Sequence, residues 1–309
     1  MVNLFSLEDH TIDTARFTHL LHGRNVNELE KSISSYVGAK YGVCLSSATA
    51  GIFIHFYGKN TLVEVPSMLP PVVANALISG GNSVFFKDNP NWVGNSYILH
   101  KFSDYKFIDS AQNLYKNQFL EECDDSDCML FSFYPTKPLG GLDGGIIVSN
   151  DKFKIERIRM LAHNGCSLEH DSGHRIPMDI GFKMYLNSFQ AEFVLKNFDN
   201  YENKLDRIGK IREMYNTLFH LKSTSNHLYR LQVKNRSLLQ KKFREAKIQY
   251  GMHYKPLTSF DLYSSYDREE MPLTNLTANH TISIPFHDKL SEQEIISVVE
   301  LAQPHVFED

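Results

Sequence analysis

Between residues 25 and 150 short apolar runs alternate with segments of helical spacing, and this alternation narrows the possible folds most. In NVNELEKSISSY (25–36), Val26, Leu29 and Ile33 recur at helical spacing with charges between them. A strand over Tyr41–Leu45 runs into SSATAG (46–51) and a helix through Tyr57. Thr61–Pro66 reads as a strand, and Pro71–Ile78 as a helix closed by Gly80-Gly81. Ser83–Phe86, Tyr97–His100, Lys106–Asp109, Met129–Tyr134 and Gly145–Ser149 are further strands. Strands separated by helices predict an α/β domain with a mostly parallel central sheet flanked by helices. From Asn187 to about Leu221 the pattern is long and helical. A strand (227–233), a helix (238–246), a strand (282–285) and a closing helix (292–301) then predict a smaller C-terminal α+β domain. The expected division is 1–200 and 201–309, with the linking helix in the second part. Residues 258–279 lack periodicity and read as a long loop.

The chain's 309 residues are enough for a sizeable core. A formal charge of −4 leaves no electrostatic footprint for nucleic acid, and KKFR (241–244) is too short to create one. Apolar stretches of a few residues fall far short of the roughly 20 that a membrane helix needs. The opening MVNLFSLEDH has neither the basic nor the apolar region of a signal peptide, so a cytoplasmic protein is expected. Four cysteines build no disulfide framework; Cys44 sits in an apolar strand, and Cys123 and Cys128 bracket an acidic loop with no zinc spacing. His170 and His174 are four apart, but Gly173 argues against a helix that would align them. The sequons at Asn235, Asn275 and Asn279 have no export signal beside them. No metal site is expected.

Lys137 follows an apolar strand in SFYPTKPLGGLDGG (132–145). Desolvation there lowers an amine's pKa and frees it as a nucleophile, although a lysine after a strand is commonly just a solvated loop residue. Asp109 ends the KFID strand, where ligands of parallel sheets gather. A carboxylate to hold a pyridinium nitrogen and a lysine to form an imine are the two contacts that pyridoxal phosphate chemistry requires. Ser46-Ser47-Ala48-Thr49 lies at a strand-to-helix junction whose free N–H groups favour an anion, and Ser132 can add a hydroxyl.

In this order SSATAG (46–51), DSAQ (109–112), SFYPTK (132–137), GLDGG (141–145) and GFKMYLNSFQAEF (181–193) resemble the DegT/DnrJ/EryC1/StrS family of sugar aminotransferases. GMHY (251–254) and SIPFHDKLSEQE (283–294) resemble its small-domain signatures. The resemblance implies a fold-type I pyridoxal-phosphate-dependent transferase. Lys137 would be the internal-aldimine lysine and proton shuttle, Asp109 the partner of the pyridinium nitrogen, and Gln112 a hydrogen-bond donor to the ring's hydroxyl side. Ala48, Thr49 and Ser132 would cradle the phosphate. Asn187 would reach the phosphate of a neighbouring subunit, which implies a homodimer with a shared active site. The implied reaction moves an amino group from glutamate or glutamine to a nucleotide-linked keto-sugar through pyridoxamine phosphate.

The chain departs from the family twice. Pro70, in PSMLPPVVAN, stands where an aromatic residue normally lies flat against the cofactor ring. Between about 87 and 106 one βα unit is trimmed. These departures keep two other readings open: a non-catalytic scaffold or regulator on this fold, and an aminotransferase with a non-sugar carbonyl acceptor. His163-Asn164-Gly165 and His253-Tyr254 resemble cleft-lining parts of the family without an assigned role.

Overall fold

Period-two burial along the strands builds the core. The structure, a computed structural model, describes residues 1–13, 17, 23–167 and 176–307, so His170 and His174 lie outside the described residues. In chain order the first half holds α1 (Arg24–Val37), β1 (Tyr41–Leu45), α2 (Ala48–Phe56), β2 (Leu62–Pro66), α3 (Pro71–Ser79), β3 (Ser83–Lys87), β4 (Tyr97–Lys101), β5 (Lys106–Asp109), α4 (Gln118–Glu122), β6 (Cys128–Ser132), β7 (Gly145–Ser149) and α5 (Lys152–Ala162). Val43, Leu45, Phe107, Leu130 and Ile147 face one core with α2, α3 and α5. Their strand neighbours Cys44, Ile108, Met129, Phe131, Ile146 and Val148 face a second core with α1 and α6 (Ser188–Phe198). Both faces of the sheet are thus covered, which is why β6 and β7 read as continuous apolar runs.

The α/β class holds, with a correction to the expected strand directions. The five-stranded sheet runs β1-β7-β6-β5-β4; only β5 and β6 pair in parallel, and the other three pairings are antiparallel. β2 and β3 form a separate parallel pair, with β2 alongside β4. A short connection accounts for part of the difference. A parallel crossover needs a dozen or more residues, whereas antiparallel strands join through a tight turn. Here only 102–105 separate β4 from β5, so the two strands form a hairpin that pairs Tyr97 with Asp109.

The second half holds α6, α7 (Tyr201–Phe219), β8 (Tyr229–Gln232), α8 (Arg236–Glu245), α9 (Pro272–His280), β9 (Thr281–Ile284) and α10 (Glu292–Ala302). A third core, from Ile208 to Val306, lies within it, around the antiparallel β8–β9 pair. The long helical run breaks at Asp199-Asn200 into α6 and α7. Residues 258–279 are not a plain loop: two short 3-10 turns precede α9. That helix exposes Leu273 and Leu276, so it has no apolar stripe to read. Its N-terminus is capped by Asp88, whose carboxylate accepts from the N–H groups of Leu273 and Thr274. No helix among the described residues is long and apolar enough to cross a membrane.

Candidate active site

Three strand ends and one helix start meet at a cavity of about 560 Å³. Lys137, Asp109, Gln112, Ser132, Ala48 and Thr49 all line it. Six of the seven residues expected from the sequence are therefore brought together, although they span nearly ninety positions.

The helix start comes from α2. Ser47 caps it, its hydroxyl accepting from Ala50 N–H at 3.0 Å. The N–H groups of Ala48 and Thr49 have no intrahelical acceptor at this end, and the helix dipole adds positive potential. Gly145 lets β7 press against this turn: a Cβ there would lie 2.6 Å from Ala48 N and 2.9 Å from Phe131 O, both backbone atoms. Gly145→Ala is accordingly expected to displace the start of α2, at a cost of about 1–3 kcal/mol. Calorimetric binding of pyridoxal phosphate should weaken about tenfold or more, with a lowered melting temperature.

Asp109 closes the opposite side and is buried. Its Oδ1 accepts from Ala111 N–H at 2.9 Å and its Oδ2 from the Tyr97 hydroxyl at 3.0 Å. Burial raises its pKa above the ordinary value, and the two hydrogen bonds and the charge of Lys137 oppose that rise. Tyr97 is itself held well above its usual pKa, by burial and then by the Asp109 charge, so its O–H is the donor. Lys137 follows the turn after β6 with its amine in the cavity. Burial lowers its pKa to about 8, and the attraction of Asp109 limits the drop. Gln112 is held at both ends: Oε1 accepts from Gly94 N–H at 2.8 Å, and Nε2 donates to the Tyr254 hydroxyl at 2.9 Å. The second Nε2 hydrogen remains for a ligand. Ser132 Oγ accepts from Tyr134 N–H at 3.3 Å.

Asn187, the seventh expected residue, does not line this cavity. It caps α6, with Oδ1 accepting from Gln190 N–H and Nδ2 donating to Gln190 Oε1. His163 is also elsewhere, stacked on Tyr185 with Nδ1 2.7 Å from Arg159 O.

The cavity also contains residues beyond those expected to hold the cofactor. Trp92 and Tyr254 form part of its wall, and Phe5 and His227 reach it from the N-terminus and from the approach to β8. Phe5 stacks on His227, with ring centroids 5.6 Å apart. His227 and His253 are neutral imidazoles: burial, then the Lys137 charge, holds His227 well below its usual pKa and His253 at about 4. Of these, only Tyr254 and His253 carried a sequence signal, in the GMHY segment.

The chemistry of this donor set suits pyridoxal phosphate. A carboxylate, an amine of depressed pKa and a helix N-terminus with hydroxyls answer its pyridine nitrogen, aldehyde and phosphate in turn. The family model for DegT/DnrJ/EryC1/StrS aminotransferases matches residues 109–303, well over half of the chain. The chain belongs to the DegT/DnrJ/EryC1/StrS aminotransferase family. Among curated relatives, UDP-4-amino-4,6-dideoxy-N-acetyl-beta-L-altrosamine transaminase of Campylobacter jejuni is 24% identical, over 88% of this chain and 87% of its own. The dTDP-3-amino-3,6-dideoxy-alpha-D-galactopyranose transaminase of Aneurinibacillus thermoaerophilus is 25% identical, over 90% and 89%. The solved structure of Helicobacter pylori PseC, an aminotransferase of pseudoaminic acid biosynthesis, superposes with a TM-score of 0.79 at 16% identity, over 97% of this chain and 98% of that one. The fold is therefore that of the family's aminotransferases.

Proposed function

We propose that this family member is a pyridoxal-phosphate-dependent aminotransferase that moves an amino group from glutamate or glutamine to a nucleotide-linked keto-sugar. The observation that carries the reading is the convergence of Lys137, Asp109, Gln112, Ser132, Ala48 and Thr49 on one cavity. The sugar-nucleotide transaminases among its relatives support the acceptor class.

When bound, the cofactor supplies an aldehyde that captures amines and a protonated ring that withdraws electrons. Lys137 Nζ, as the neutral amine, would hold the cofactor's aldehyde carbon and would carry the proton at the substrate carbon. The Asp109 carboxylate, held in place by Tyr97 and Ala111, would pair with the ring nitrogen and favour its protonated form. The N–H groups of Ala48 and Thr49, with the hydroxyls of Thr49 and Ser132, would bind the phosphate. Gln112 would position the ring's hydroxyl side through its remaining N–H.

A homodimer belongs to the same proposal. Asn187 does not line its own cavity, which leaves it free of a role there and in keeping with service to a second subunit, and apolar Leu142, Ile176, Met178 and Ile180 are left exposed. A division near residue 200 fits the separate core between Ile208 and Val306.

The acceptor is tested by loading the protein with pyridoxamine phosphate and adding UDP- or dTDP-linked keto-sugars, with mass spectrometry of the product. Amination of a nucleotide-linked keto-sugar is the expected result; amination of simple keto acids alone would contradict the proposed acceptor.

The lowered pKa of Lys137 sets a pH dependence. Its protonated form is unreactive, so cofactor attachment should speed up as pH rises and level off above about 8. At pH 7 about a tenth of the amines are neutral, against well under a thousandth for an ordinary lysine. Stopped-flow absorbance across pH 6 to 10 measures the midpoint; a midpoint above about 10 would mean that the amine is not desolvated.

A further inference from the structure

The shortened segment between β3 and β4 contributes a residue to the cavity that the trimmed length alone does not foreshadow. Trp92 lines the cavity beside Asp109, Gln112 and Lys137, and is otherwise buried. Its indole N–H donates to Met68 O at 3.0 Å, which fixes the plane of the ring. That plane lies within 9° of the Tyr254 ring, with centroids 6.3 Å apart, and Tyr97 packs on it at 4.5 Å.

These three rings and the polar residues of the site form one unit. The Tyr97 hydroxyl holds Asp109, and the Tyr254 hydroxyl accepts from Gln112. Gln112 in turn holds Gly94 N–H, two residues past Trp92. Gly94 has φ +97°, and a Cβ there would lie 2.6 Å from Ser225 Oγ, so the segment turns tightly against the C-terminal half. Pro70 lines the same cavity but offers no π face.

We propose that Trp92 is the flat surface on which the cofactor's pyridine ring rests, taking over the stacking role for which Pro70 is unsuited. The inference rests on the pyridoxal phosphate reading above. It gives the trimmed segment a function: the chain that remains after loss of a βα unit closes the sheet edge with a hairpin and supplies the aromatic wall.

Trp92 is the only tryptophan in the chain, so its emission reports this site alone. Titrating the protein with pyridoxamine phosphate, which forms no covalent link to Lys137, should quench the emission saturably. Calorimetry with the same ligand gives affinities for Trp92→Leu and Trp92→Phe. The leucine variant should bind about tenfold more weakly, equivalent to about 1.4 kcal/mol, while phenylalanine stays within about threefold of the original. Melting temperatures of the two variants establish that both are folded. If both bind alike, or if leucine binds within about twofold of the original protein, Trp92 is a packing residue and the proposal is overturned. Absence of both quenching and binding heat in the unaltered protein would instead overturn the cofactor reading and this inference with it.

Discussion

Lys137→Ala should fold normally and lose both the visible absorption of the pyridoxal-phosphate-loaded protein and its turnover. Two roles disappear together in this variant. The amine that fixes the aldehyde is gone, and so is the base that moves the proton at the substrate carbon. Removing a residue that acts as both nucleophile and base costs about four to six orders of magnitude in kcat. Stability should not fall, because burial already disfavours the ammonium of Lys137 and alanine relieves that desolvation. Cofactor should still bind through the start of α2 and Asp109, without a covalent link. Retained turnover within tenfold of the original would place the chemistry on another residue.

Asp109→Asn should be the next most damaging change. The amide keeps an oxygen for Ala111 N–H and packs in the same space, so the β5 end stays in place. What is lost is the buried negative charge that keeps the ring nitrogen protonated. Loss of one such preorganised electrostatic contact costs about two to three orders of magnitude in kcat. A second readout separates this from misfolding. The Asp109 charge holds the pKa of Lys137 up, so in the variant the midpoint for cofactor attachment should move below 8. An unchanged midpoint would mean that the two groups do not interact.

The parts of the site that could be read from sequence are those fixed by local chain geometry. Asp109 and Lys137 sit at or just after strand ends, and Ala48 and Thr49 open a helix. Apolar runs and a Ser cap announce such positions. Trp92, Phe5 and His227 reach the cavity only through tertiary packing, and nothing in their neighbourhoods marks them. The same distinction explains the fold. The apolar alternation revealed β1, β6 and β7, but the direction of β4 depends on a four-residue connection instead of a crossover. α9 escaped detection because its cap, Asp88, lies far away in sequence and its leucines face outward. Asn187 shows the converse: the helical run is read as opening there, and the residue caps α6 instead of lining the cavity.

The most direct test of the central claim is a visible absorption spectrum of the pyridoxal-phosphate-loaded protein before and after glutamate or glutamine is added. The expected result is a yellow band that requires Lys137 and bleaches with the amino donor, as half of an amino transfer demands. A band that no donor bleaches would contradict the aminotransferase account and favour a cofactor-binding scaffold; no band at all would remove Lys137 from the chemistry.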